Sequence, residues 1–386
     1  MYVARPLSMY RKDPSSLSEP PTEGPNSGYI VLTDEETEAE DTCCWGTCKD
    51  TGVKELPFPQ NKILNVNYRT GSSEHRRTEV HKLWFIPVLD QPLSSNQYYV
   101  IRAEGRKYKG QACTCSKEED MSTCCFCRCV KDVKPRAFDH RDIYQQVQIF
   151  KRRYGYFAKS IAPDGFPPFF LRRKGWTVHT SSSFQNQLSE AHGLNFSLRK
   201  KLPIFDFTNS NKRSTSVLVG KWYCPFVFVK ENGLVKDQMK SSLYYVMTLE
   251  QCWEEIFSCE NNSKSNTVNV NVNVQKEVNS LFGVEVMKDD THARDGTIWY
   301  NNVGRGGGEL SLGLSIAIVE NMRRVQEMGG WRDVNVERIE EFEGEKGWKR
   351  FGCYVLVERF ALSRLDGTLL LTCDFRHNHH IQSKWE

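Results

Sequence analysis

Apolar and polar residues follow one another along this chain in a rhythm that favours sheet. "NKILNVNYRT" (61–70) alternates, with Ile63, Asn65 and Asn67 on one side and Leu64, Val66 and Tyr68 on the other. "NTVNVNVNV" (266–274) alternates strictly, so Val268, Val270, Val272 and Val274 face a core and the asparagines face out. Shorter runs read as further strands: Tyr29 to Leu32, Leu83 to Val88, and two within "TSVLVGKWYCPFVFVKENG" (215–233). "NQYYVIRAEGRKYKGQACTC" (96–115) reads as a hairpin around Glu104-Gly105. The best-specified piece is "CYVLVERFALSRLDGTLLLTCDFRHNHH" (353–380), a hairpin whose Asp366-Gly367 pair predicts a two-residue type I′ turn. That turn sets Leu362 opposite Leu371, Phe360 opposite Cys373 and Leu356 opposite His377 on one face. Arg359 then meets Asp374 on the other, an opposite-charge pair.

Helical spacing competes in four places. Asp139 can cap a helix with Asp142 in its first turn and Ile143, Val147, Phe150 and Tyr154 as its stripe, closed by the basic residues 151–153. A second helical stretch is predicted within 182–202. "TLEQCWEEIFSC" (248–259) pairs Thr248 with Gln251 as a capping box and places Leu249, Trp253, Ile256 and Phe257 on one stripe. "SLGLSIAIVENMRRVQEMGG" (311–330) predicts a helix with Leu314, Ile318, Met322, Val325 and Met328 inward, ended by Gly329-Gly330. Residues 11–28 are rich in Pro, Ser and Gly and predict an irregular arm, and the acidic run 34–41 predicts an exposed loop. The expected fold is therefore α+β, a substantial antiparallel β-sheet with several packed helices. The expected divisions are an extended arm with the acidic loop (1–55), a β-rich lobe with a helical middle (56–213) and a C-terminal α+β lobe (214–386).

Composition narrows the function classes. The chain has 386 residues, 39% hydrophobic and 12% aromatic, which is ample for a core. Lys and Arg number 52 against 48 Asp and Glu, a balance that offers no concentrated basic face for nucleic acid and little for a lipid surface. No apolar run approaches the ~18 residues of a membrane span, and the first residues lack the core of a secretory signal. The expectation is a soluble protein of the cytoplasm or nucleus, with its 14 cysteines mostly as thiols.

Six of those cysteines crowd into "CTCSKEEDMSTCCFCRC" (113–129), and "TCCWGTC" (42–48) holds three more. Cys44-x3-Cys48 and Cys124-x2-Cys127 have spacings that permit a structural zinc, which wants four thiolates in a tetrahedron. Against that stand the long gap between the pairs and the C-x-C pattern, which suits strand residues acting as small hydrophobes. Redox sensing and lipid attachment are further readings of the same cluster. "DFRHNHH" (374–380) sets His377 and His379 on the apolar strand face, where a hydrogen-bonded core histidine competes with a ligand role. "VGRGGGELSLG" (303–313) lacks the Lys and Ser/Thr of a phosphate loop and reads as a glycine-rich connection. There is no nucleophile elbow, zinc-protease helix, kinase set or calcium loop.

Several long blocks, among them "LPFPQNKIL", "FIPVLDQPLSSNQYYVIRA", "TCCFCRCVKDVKP", "DGFPPFFLRRKGW" and "GCYVLVERFALSRLDGTLLLTCDFRHNHHIQSKWE", resemble the plant family filed as domain of unknown function 1262. The resemblance implies a plant protein made essentially of this one domain, and it supplies no catalytic residue or cofactor. The functional expectation is a non-enzymatic intracellular binding or regulatory protein with a protein partner. The alternative is a thiol- or zinc-dependent protein, or an enzyme of unrecognised type, using the cysteine cluster or His377 and His379.

Overall fold

In the computed structural model the described residues are 1–40, 42–43, 48–70, 77–124, 127–185, 188–208, 211–262, 266–289, 293–302, 310–344 and 347–386. They form two units. One comprises Met1–Ala191 with Gly233–Leu243, the other His192–Asn232 with Tyr244–Glu386.

The first unit is built on an antiparallel sheet with the strand order Tyr156–Ser160, Gln146–Lys151, Gln97–Arg102, Arg77–Pro87, Lys62–Thr70 and Thr177–Gln185. The alternation read in 61–70 holds: Leu64 and Val66 enter the core with Leu83, Phe85, Val100 and Ile149. Phe58 sits among Phe85, Tyr98, Tyr156 and Trp176, with ring centroids 5.0 to 6.4 Å apart, which fixes the segment before the sheet. Tyr2–Pro6 and Gly28–Leu32 add a parallel pair, in which Gly28 lies against the Tyr2 ring so closely that a Cβ would fall 2.6 Å from it.

The second unit carries a long antiparallel sheet. Its order is Val229–Glu231, Leu310–Ser315, Thr297–Asn302, Val284–Asp289, Glu277–Leu281, Leu369–Trp385, Arg350–Arg364, Tyr244–Glu260 and Val217–Pro225. The C-terminal hairpin has the register its sequence predicts, including Leu362 opposite Leu371, Leu356 opposite His377 and Arg359 opposite Asp374. Arg359 grips Asp374 bidentately at 2.6 and 2.7 Å. The tip differs from the expected turn: Gly367 alone has positive φ, at 88°. The Gly367 amide donates to the Arg364 carbonyl, and a shift between Leu362 and Ser363 restores the register.

The α+β expectation is corrected. The described residues are mostly β, 49% strand against 17% helical, with six short α-helices in place of several packed ones. Only Ile316–Met328 among them exceeds seven residues; it matches the helix predicted there, although Leu314 belongs to the preceding strand and Met328 is exposed. Residues 248–259 lie within the strand Tyr244–Glu260, not a helix. Leu249 and Trp253 are four apart, a spacing that is one helical turn and also two strand periods. Strand partners on both sides decide between these, and a bulge between Glu255 and Phe257 displaces Ile256 and Phe257 into apparent helical phase. The helix expected from Asp139 is likewise a single 3-10 turn, Ile143–Gln145, capped by Asp142, followed by the strand Gln146–Lys151. Among the described residues of 182–202 only Phe196–Lys200 is α-helical, and Glu35–Glu40 is a helix where a loop was expected.

Candidate functional site

The second unit buries a charged cluster beneath the C-terminal hairpin. Glu358 lies on the strand Arg350–Arg364 and is 1% exposed. Arg199, from the short helix Phe196–Lys200, meets it with Nε at 2.8 Å and a terminal nitrogen at 2.5 Å. Gln251 stands directly opposite Glu358 in the sheet and donates to the same carboxylate at 2.8 Å and to the Arg199 carbonyl at 3.1 Å. His377 sets Nε2 2.9 Å from Gln326 Oε1 and 3.4 Å from Glu358 Oε2. Burial pushes the Glu358 carboxyl up, but the hydrogen bonds and charges of His377 and Arg199 outweigh it and hold the group at about 2. His377 is thus a buried, hydrogen-bonded histidine. His379 and His380 fall in a wide bulge, since His377 opposes Leu356 while Ile381 opposes the adjacent Val355. Burial and the neighbouring imidazoles lower both their pKa values.

The cysteines divide. Cys113 and Cys115 belong to the first unit's core, where burial pushes their thiols up to about 12 and about 11. Cys252 and Cys353 are also pushed up to about 11, so burial keeps these thiols protonated and they pack as small hydrophobes. Of the four proposed zinc ligands, Cys44 lies outside the described residues, as does residues 303–309 of the glycine-rich connection. Cys48 begins the strand Cys48–Lys49, and the backbone register sets Cys124 opposite Cys127. Among the described residues no group of three or more His, Cys, Asp or Glu is placed to hold a metal ion. That finding does not extend to Cys44, Cys48, Cys124 and Cys127, whose side chains lie outside the described ones.

The first unit contains a feature that the sequence reading missed, a cavity of about 580 Å³. One wall is the helix Leu7–Lys12 and the 3-10 turn Pro14–Ser18, which contribute Leu7, Tyr10, Pro14 and Leu17. Those positions recur at intervals of three and four, the spacing of an apolar helical face, and that was the available signal in a stretch read as an irregular arm. The other wall is Val53, Leu56, Pro57 and Pro59, where proline fixes the backbone and keeps the segment from collapsing inward. Of its six charged lining residues, four pair within the lining, Lys62 with Glu38 and Lys54 with Asp50, each at 2.6 Å, while Glu55 pairs with Lys151 outside it and Arg11 also lines it. Burial pushes the Tyr10 phenol up and keeps it protonated. Thr33 adds a buried hydroxyl with no hydrogen-bond partner among the described residues.

Residues 23–126 match the model of a family described as protein of unknown function (DUF1262), which covers much of the first unit's sheet and one wall of its cavity. No curated protein matches the chain. Among solved structures it is similar to Cry35Ab1, at 11% identity and a TM-score of 0.43, over 84% of this chain and 90% of that one. Among the described residues no helix is long and apolar enough to cross a membrane.

The charged cluster makes stability depend on acid. Glu358 titrates below its ordinary 4.5, so its contribution is fully present above that pH and is lost as pH falls towards about 2. Urea midpoints measured from pH 7 to pH 2 should therefore fall less steeply for Glu358→Gln than for the wild type, and at pH 7 the variant should be destabilised by about 3 kcal/mol or more. Parallel acid limbs would contradict this assignment.

Proposed function

We propose that this chain is a non-enzymatic binding protein whose first unit holds a small, neutral, mainly apolar molecule. The observation that carries this reading is the 580 Å³ cavity with mainly apolar walls and two ion pairs within its lining. Its volume lies within the ~300–1,000 Å³ of ligand pockets, and rigid proline-bearing walls lower the ordering cost of binding. A formally charged ligand would compete with the Lys62–Glu38 and Lys54–Asp50 pairs, whereas the Thr33 hydroxyl can orient one polar end. A cytoplasmic plant protein that passes ligand occupancy to a protein partner fits this reading.

N-phenyl-1-naphthylamine, a neutral apolar fluorophore, tests it. Its emission should rise on binding the full chain, and Leu17→Trp, which fills the cavity, should weaken binding about tenfold while leaving Tm unchanged. Met328→Trp, in the second unit, should leave this binding as it is. No enhancement, or an enhancement that Leu17→Trp does not change, would remove the reading.

A second reading keeps a structural zinc on Cys44, Cys48, Cys124 and Cys127, favoured by the backbone register that sets Cys124 opposite Cys127. Elemental analysis of the purified chain should then find about one zinc per molecule, with stability lost on chelation. A metal-free, chelator-indifferent protein would discard it.

A further inference from the structure

Residues 151–153 and 172–174 are two runs of cations, well separated in the chain. The first unit's sheet sets them side by side. Residues 152–155 turn the hairpin of Gln146–Lys151 and Tyr156–Ser160, where the Arg152 amide donates to the Gly155 carbonyl at 2.8 Å. The second run is stitched to that turn. The Gly175 amide donates to the Tyr156 carbonyl at 2.9 Å, and the Tyr156 amide to the Trp176 carbonyl at 2.8 Å. Each run is followed by a glycine at positive φ, 75° at Gly155 and 94° at Gly175. The backbones lie so close that a Cβ on Gly155 would fall 2.3 Å from the Trp176 carbonyl oxygen.

Each run ties one cation to an acid, Lys151 to Glu55 and Arg172 to Asp132. Arg152, Arg153, Arg173 and Lys174 are exposed and make no ion pair among the described residues. Arg173 is held in place: its guanidinium carbon lies 3.8 Å from the Phe169 ring centroid, and it donates to the Tyr68 hydroxyl at 2.6 Å. Tyr154 stands with them, 75% exposed, with the Arg153 guanidinium 5.4 Å from its ring centroid. Four uncompensated cations on adjoining turns repel one another, and an opposing negative charge relieves that repulsion. They ride on turns and not along a groove, so a flat anionic surface reaches all of them at once. A tyrosine among arginines is suited to headgroup depth. The chain's near balance of 52 basic and 48 acidic residues conceals this local excess. We propose that the two turns are a docking surface for an anionic phospholipid membrane, with Arg152, Arg153, Arg173 and Lys174 against the headgroups and Tyr154 in the interface. None of these five residues lines the first unit's cavity, so the two readings stand or fall separately.

The test sediments the full chain with vesicles of phosphatidylcholine alone or with about 30% phosphatidylserine. The chain should pellet with the mixed vesicles at about 0.1 M salt, leave them at about 0.5 M, and stay in solution with phosphatidylcholine alone. Arg152→Gln with Arg153→Gln should weaken partition about 25-fold, and Lys174→Gln about fivefold, with Tm unchanged. Arg332→Gln with Lys349→Gln removes the same charge from exposed positions of the second unit, and should leave partition within about twofold of the wild type. Tyr154→Trp should add emission that brominated acyl chains quench beyond any quenching of the wild type. No pelleting with the mixed vesicles overturns the proposal, as does equal pelleting with phosphatidylcholine alone. An equal loss in the second-unit pair, or no added quenching, overturns it too. Retention of a single-stranded oligouridylate that vesicles do not displace would assign the turns to nucleic acid instead.

Discussion

A carboxylate in the middle of a covered sheet governs the second unit. Glu358 belongs to a strand paired along both edges, and it is almost wholly removed from water. An ionised carboxylate there costs several kcal/mol unless its partners are already in place. Each neighbouring element supplies one. The strand Tyr244–Glu260 gives Gln251 in direct register, the strand Leu369–Trp385 gives His377, and the helix Phe196–Lys200 gives Arg199. The helix Ile316–Met328 contributes Gln326, whose Oε1 faces the same His377 Nε2 that approaches Glu358. Strand register, helix docking and histidine tautomer therefore depend on one another through a single charge.

The same arrangement explains why the unit tolerates so little choice of register. A one-residue slip of Tyr244–Glu260 would turn Gln251 to the opposite face and leave the carboxylate short of a donor. The Arg359–Asp374 pair, reinforced by Arg213 at 3.1 Å from Asp374, fixes the hairpin register as well. Two polar locks thus specify a hairpin that apolar alternation alone would leave free to shift by two.

The C-terminal hairpin and the valine–asparagine strand were legible in the sequence because local signals agree: period, turn residues and cross-strand charge lead to one answer. The hairpin tip shows how robust that is, since the turn type differs while the register survives. The segments 139–154 and 248–259 were misread because spacings of four satisfy helix and strand equally, and only sheet neighbours, invisible in one sequence, resolve them. The charged cluster was half legible. His377 was singled out, but Arg199, Gln251 and Glu358 are far from it in the chain and carry no motif. The first unit's cavity was missed because composition marked residues 11–28 as irregular, while the spacing of Leu7, Tyr10, Pro14 and Leu17 already described an apolar face. Cys113 and Cys115 are buried volume, as the small-hydrophobe reading implies, although neither lies in a strand.

The interdependence claimed for the charge pair is measured most directly by a double-mutant cycle on Arg199→Met and Glu358→Met, read by equilibrium urea unfolding at neutral pH. Each single variant leaves one buried charge without its partner and should lose about 3–5 kcal/mol, whereas the double variant removes both charges and should recover much of that loss. Single effects that simply add, within about 0.5 kcal/mol, would show that the two residues do not act as a unit and would contradict the account.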